Sequence, residues 1–317
     1  MIAVHLESGQ VTILQAPKPV RPLGSALIRV LVAGICNTDL ELQRGYYDFR
    51  GTPGHEFVGE VVEADSPALI GKRVAGEINL ACGHCDFCAI GLARHCPTRT
   101  VLGIVKHPGA FAEYLVLPES NLHIIPDEIP TDQAVFLEPL AAACEILDQV
   151  QMPPGEHVAV LGDGKLGLLV AQVLHSHGCQ VTLYGRHENK LALVRKLGVE
   201  AIASEARPRA AFQMVVDCTG WASGLQEAVR MVRPRGTVVM KSTIHGDVAI
   251  DTAPVIVNEI TLIGSRCGRF EPAMEMLRSG RVDVMGFVSA EFPLEQAPAA
   301  FAEAARRGVL KVLLRND

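Results

Sequence analysis

Up to about residue 130, hydrophobic positions come in short β-branched runs at 2–6, 11–14, 26–33, 56–63, 73–75 and 112–117, separated by Gly, Pro and charged residues. Runs of this length predict strands, and their uneven spacing predicts an irregular, barrel-like β domain. From Glu156 the pattern changes. Apolar runs at 157–161, 180–184, 214–218 and 237–241 alternate with stretches of helical period at 166–177, 189–197 and 222–232. That alternation predicts a parallel sheet with helices on both faces. After an apolar run at 260–264, a helix is expected at 271–278, a strand at 288–292, a second helix at 294–306 and a final strand at 311–314. The pattern leaves open whether this tail extends the α/β unit or returns to the first domain.

Composition narrows the class. With 317 residues, 49% hydrophobic and 20% charged, the chain is long enough for two domains and too apolar for disorder. No apolar run approaches the roughly 20 residues of a membrane span. Residues 1–6 lack the basic segment and long apolar stretch of a secretory signal, so a cytoplasmic protein with no membrane contact is expected. Twenty-nine basic against 35 acidic residues give a net charge of −6, which argues against nucleic acid as a partner.

The cysteines change the picture most. Nine is an odd number, and Cys82, Cys85, Cys88 and Cys96 crowd into fifteen residues at spacings x2, x2 and x7, with Gly83 and Gly91 available for sharp turns. This arrangement fits tetrahedral zinc-thiolate coordination. A bacterial ferredoxin run also ends before a proline, as Pro97 does here, but it has x3 where this chain has x7, so structural zinc is favoured over an iron–sulfur cluster. Cys144, Cys179, Cys218 and Cys267 sit among apolar neighbours and are expected to be small buried hydrophobes. A second, dispersed set consists of Cys36, of His55 followed by Glu56, and of Glu138 before Pro139. One thiolate, one imidazole and one carboxylate suit a catalytic zinc that keeps a fourth position open.

The predicted strand at 157–161 runs straight into Gly162-Asp163-Gly164-Lys165-Leu166-Gly167, and an apolar helix follows. In that context G-x-G-x-x-G is a dinucleotide fingerprint, with the pyrophosphate at the helix N-terminus. The acid expected about 20 positions on, to bind the ribose 2′-hydroxyl, is missing. The strand at 181–184 leads instead into Gly185-Arg186-His187. Arg186 could therefore bond a 2′-phosphate, which favours NADP over NAD. The alternative is a solvated or adenine-stacking Arg186 that leaves NAD acceptable.

In order along the chain, residues 34–39, Gly54-His55-Glu56, the cysteine lobe, Glu138-Pro139-Leu140 and the glycine loop are similar to the zinc-dependent medium-chain dehydrogenase/reductase superfamily, the relatives of alcohol, sorbitol and threonine dehydrogenases. The resemblance covers essentially the whole chain. It implies an α/β protein with a GroES-like β domain plus a Rossmann doubly wound parallel-sheet domain. The GroES-like catalytic domain would span 1–140 with a zinc lobe at 79–100, the Rossmann domain 141–266, and 267–317 would return to the catalytic domain. The implied reaction passes hydride between an alcohol, such as a secondary alcohol or polyol, and NADP or NAD, with one catalytic and one structural zinc.

By the same resemblance Cys36 and His55 ligate the catalytic zinc, Glu56 or Glu138 supplies the carboxylate, Asp39 orients His55, and Thr38 accepts the alcohol proton. Lys311 would approach the pyrophosphate, completing a cofactor site made of Gly162, Gly164, Lys165, Leu166, Gly167, Gly185 and Arg186. Where many relatives have a histidine five residues after the ligand cysteine, this chain has Glu41, so beyond Thr38 the relay runs through either Glu41 or water. A homodimer or homotetramer joined through Rossmann sheets is implied, with 261–263 as a candidate edge. The rival readings are a zinc-independent quinone or enone reductase of the same fold, and a zinc-bearing protein that senses the nucleotide without turnover. His175, His177, His187 and His245 are expected to be surface or supporting groups, and Trp221 to pack beside the cofactor domain's core.

Overall fold

The computed structural model describes residues 1–204, 206–244 and 247–316. His245 lies outside them. The chain divides into two units, Met1–Glu138 with Val284–Asp317, and Pro139–Asp283.

In the first unit the described residues build a mixed sheet around the long strand Ser25–Gly34. This strand pairs antiparallel with Tyr114–Pro118 near its start, with Glu56–Glu63 along most of its length, and with Lys311–Arg315 at its end. Residues 25–29 take the first partner and 32–34 the last, so these two follow one another along the strand, and the pairing with Glu56–Glu63 carries register shifts. Its side chains are buried on both faces except at Ser25, Arg29 and Leu31, as a strand rich in Ile, Leu and Val requires. Aromatic pairs fill the core: Phe111 meets Phe301 and Phe136 meets Phe287 edge-on, with centroids 5.8 and 6.0 Å apart. A small separate sheet pairs Asn79–Leu80 with Thr100–Leu102 and so closes the cysteine lobe at its base.

The second unit carries a parallel sheet of six strands in the described residues. The spatial order is Glu200–Ala203, Gln180–Gly185, His157–Leu161, Phe212–Asp217, Val232–Met240 and Thr261–Gly264. In sequence order this is 3-2-1-4-5-6, the doubly wound arrangement, whose order reverses beside His157–Leu161.

Three expectations need correction. The tail does not leave the second unit at residue 267 but stays with it to Asp283. Helix Phe270–Arg278 buries Phe270, Ala273, Met276 and Leu277, Met276 Sδ lies 3.7 Å from Cys144 Sγ, and the Gln172 amide bonds both backbone groups of Asp283. An amphipathic pattern shows that a helix buries one face and is silent about the surface it covers. Trp221 is 69% exposed rather than packed, and Cys218 and Cys267 are only half-buried. Among the described residues no helix is long and apolar enough to cross a membrane.

Candidate functional site

In the first unit the antiparallel register pairs Gly34 with Glu56, so the end of one strand and the start of the next lie side by side. The chain leaves Gly34 through Ile35 into Cys36, the N-cap of helix Asn37–Gln43, while His55 immediately precedes Glu56. The result is that Cys36 Sγ, a ring nitrogen of His55 and a carboxylate oxygen of Glu56 lie within 4.8 Å of one another. His55 and Glu56 are buried, at 3% and 0% exposure, whereas Cys36 and Thr38 are half-buried.

Asp39 holds this arrangement. Its fully buried carboxylate accepts the Cys36 N–H at Oδ2 (2.8 Å) and the Gly54 N–H at Oδ1 (3.2 Å), and Oδ1 stands 3.5 Å from His55 Nδ1. One side chain thus fixes the backbones beside both donor residues and faces the ring of one of them, the role expected of a carboxylate behind a metal-binding histidine. Burial by itself lowers the His55 pKa, but the Asp39 and Cys36 charges outweigh it and raise it well above its ordinary value. The Thr38 hydroxyl lies 3.8 Å from Cys36 Sγ.

The donor set fits a zinc ion on two grounds. The mixture of thiolate, imidazole and carboxylate is one that zinc accepts. In addition, Glu56 Oε1 is buried without a hydrogen-bond partner among the described residues, a costly state that a bound cation would relieve.

Of the two alternative carboxylates, the structure gathers Glu56. Glu138, in the first turn of helix Leu137–Gln149, is not part of the group of described residues. Lys311, expected beside the pyrophosphate, is wholly buried in the first unit, where its ammonium bonds Glu56 Oε2. Gly34 makes this possible, because a Cβ there would fall 2.9 Å from Glu56 Oε2 and 3.1 Å from Lys311 Cδ. Burial pushes the Lys311 ammonium down to about 8, against the pull of the Cys36 and Asp39 charges. Glu41 is also otherwise engaged, since its Oε1 accepts Arg44 Nη1 at 2.6 Å one turn along the helix.

The four thiols of the lobe converge as their spacing predicts. Sγ separations are 3.5 Å for Cys85–Cys88, 3.8 Å for Cys85–Cys96 and 4.0 Å for Cys82–Cys88. A tetrahedron with zinc–sulfur bonds of ~2.3 Å has edges of about 3.8 Å. The separations are too long for disulfides. The His84 backbone N–H foremost draws Cys82 down to about 6, and the Cys82 backbone N–H foremost lowers Cys96, both in favour of the thiolate that binds metal. Cys85 is pushed up to about 11: the Cys88 backbone bond opposes this, but burial and the neighbouring thiols prevail.

In the second unit the glycine loop follows strand His157–Leu161 and opens helix Lys165–Ser176. Gly162 has φ 106°, and an added Cβ at Gly167 would overlap the Gly162 carbonyl, so this tight turn demands both glycines. Gly164 caps the helix without a side-chain bond and its first turn has no acid, which leaves amide donors and a positive dipole end for a phosphate. Lys165 and Leu166 are the first helical residues. At the neighbouring strand end Gly185 is buried and Arg186 exposed. The carboxylate that sequence reasoning missed is Asp163, whose oxygens bond residues 186 and 187. Its signal was an acid inside the glycine loop itself.

Residues 22–127 match the family "Alcohol dehydrogenase GroES-like domain", and residues 166–279 match "Zinc-binding dehydrogenase". A sorbitol dehydrogenase of Halalkalibacterium halodurans is 26% identical over 97% of this chain and 96% of its own. D-altritol 5-dehydrogenase of Agrobacterium fabrum is 31% identical over 92% of each. Among solved structures, a Sinorhizobium meliloti 1021 protein assigned as a zinc-binding dehydrogenase and bound to NADP matches with a TM-score of 0.91 at 28% identity, over 99% of both chains.

Proposed function

The chain belongs to the zinc-dependent medium-chain dehydrogenase superfamily, and from that premise we propose that it oxidises a polyol with NADP, Cys36, His55 and Glu56 holding the catalytic zinc. Its class of activity is alcohol oxidoreduction with a nicotinamide cofactor. The observation that carries the reading is the convergence of a mixed donor set, with an orphaned buried carboxylate oxygen, beside a half-exposed hydroxyl.

When bound, zinc supplies a Lewis acid that lowers the pKa of the alcohol, and the nicotinamide accepts the hydride. The chain does the rest. Cys36, His55 and Glu56 offer the donors, Asp39 sets the His55 ring, and Lys311 secures Glu56 through Oε2 so that Oε1 stays available. Thr38 takes the alcohol proton and passes it to water, since Glu41 is held by Arg44. In the second unit the helix Lys165–Ser176, which has no side-chain cap, receives the pyrophosphate, and exposed Arg186, at a strand end where the Asp163 carboxylate is taken up by backbone N–H groups, receives the 2′-phosphate. Both sugar-alcohol relatives support the substrate class. The open edge strand Thr261–Gly264, with Leu262 exposed on it, supports a homodimer formed by edge pairing.

Elemental analysis and a cofactor assay test the reading together. It expects about two zinc ions per chain and reduction of NADP, faster than of NAD, by four- to six-carbon polyols. One zinc per chain, with reduction of enones and no polyol oxidation, would replace it with the zinc-independent reductase.

A further inference from the structure

Asp163, between the first two glycines of the loop, is 8% exposed. Its Oδ2 accepts the backbone N–H of Arg186 at 2.7 Å and of His187 at 2.6 Å. His187 Nδ1 lies 3.0 Å from Oδ2 and 3.2 Å from Oδ1. Gly185 provides the space, because a Cβ there would come within 2.6 Å of Asp163 Cβ and 2.7 Å of Oδ2. Buried Lys190, on helix Glu188–Arg195, also interacts electrostatically with this carboxylate.

A ribose-binding acid must offer its oxygens to the sugar hydroxyls. Here two backbone N–H groups and His187 Nδ1 converge on Oδ2, and the Lys190 charge also acts on this carboxylate, so its oxygens are engaged within the loop. Two successive amides bound to one oxygen fix the backbone at 186–187, and the imidazole of His187 is drawn onto the same carboxylate. The Arg186 side chain is left as the exposed cation at the strand end. We infer that Asp163 is a positioning residue for cofactor specificity, which holds residues 186 and 187 so that the Arg186 guanidinium meets a 2′-phosphate. The inference rests on the NADP reading above. Although burial raises the Asp163 pKa, the two amides and His187 overcome it and hold the carboxyl below the usual range, so the group stays ionised at neutral pH.

The test needs no alcohol substrate. Isothermal titration with adenosine 2′,5′-bisphosphate and with 5′-AMP compares probes that differ by the 2′-phosphate alone. Asp163→Ala should weaken the bisphosphate about tenfold, the worth of roughly one charge-assisted bond, while 5′-AMP changes less than about threefold. Asp163→Asn, which keeps an acceptor for the two amides, should recover most of the loss. Added to Arg186→Ala, Asp163→Ala should cost the bisphosphate no more than it costs 5′-AMP, because the carboxylate acts through Arg186. Tighter bisphosphate binding by Asp163→Ala would overturn the inference by making Asp163 a ribose-facing acid, and equal weakening of both probes would reduce it to a structural residue. In either case a wild type that still prefers the bisphosphate, and loses that preference in Arg186→Ala, keeps the NADP reading intact. A wild type without the preference overturns both.

Discussion

The two donor clusters of the first unit are built on opposite plans. The cysteine lobe draws four like ligands from fifteen consecutive residues, most of them half-exposed, and little beyond a short strand pair at its base is needed to close it. The Cys36, His55 and Glu56 cluster takes its donors from the end of one strand and the start of another, is anchored by a helix-borne carboxylate, and is backed by a lysine 255 residues from its partner. The four thiols of the lobe would fill every position of a tetrahedral zinc and leave no place for a reactant. The dispersed cluster has three donors, an unsatisfied buried carboxylate oxygen and a hydroxyl at its edge. A local cluster needs only to close, whereas a reacting centre must be aimed, and aiming takes the registered framework of several strands.

Removing one ligand from each cluster should separate the plans cleanly. Cys36→Ser has the largest expected effect. Loss of Lewis-acid stabilisation worth several kcal/mol lowers turnover by about three orders of magnitude or more, the zinc count falls by one, and NADPH binding and melting temperature hold. Loss of NADPH binding with retained turnover would reverse the assignment. Cys88→Ser should also remove one zinc, but the deficit appears as a lobe that unfolds locally and is cut by protease. Metal binding in small zinc domains contributes on the order of 10 kcal/mol to folding, so the lobe cannot stay ordered without it. Activity of the uncleaved protein should stay within about threefold. A collapse of activity without lobe unfolding would show that the two clusters are coupled.

Asp39→Asn probes the aiming device itself. Replacing the carboxylate behind a metal-binding histidine lowers metal affinity or activity about 10- to 100-fold, and chelator challenge should strip the catalytic zinc faster than the lobe zinc. If stability fell while the zinc exchange rate stayed at the wild-type value, Asp39 would be a helix cap and backbone tether only.

The same contrast explains what could be read from the chain without coordinates. The lobe and the glycine loop were legible because each is a local spacing that forces a local geometry, and strand–helix alternation was enough for the doubly wound sheet. The Lys311–Glu56 pair was not legible, because it exists only through the registers that set Gly34 opposite Glu56 and Leu313 opposite Gly34. The unit boundary near Asp283 escaped because apolar periodicity does not name the surface a helix will cover. Asp163 was not legible because it stands in the loop, about twenty residues before the strand end whose backbone it holds, and only the fold brings the two together.

The smallest expected effect bears on how open the dispersed cluster is. Thr38 and Glu41 lie three residues apart on helix Asn37–Gln43, so they share a face, and the sequence left Glu41 and water as the two ways to continue a proton relay. Arg44 occupies its Oε1 at 2.6 Å, with the two side chains 26% and 60% exposed on the glutamate and arginine sides. An exposed pair of this kind is worth only a few tenths of a kcal/mol, so Glu41→Gln should leave the melting temperature almost unchanged. If Thr38 hands its proton to water, kcat should stay within about twofold and its pH profile should keep its shape, because no general acid or base has been removed. A tenfold loss of kcat with a displaced limb in that profile would mean that Arg44 releases the carboxylate during turnover. The cluster would then reach the surface through its own helix, and its difference from the self-contained lobe would be larger still.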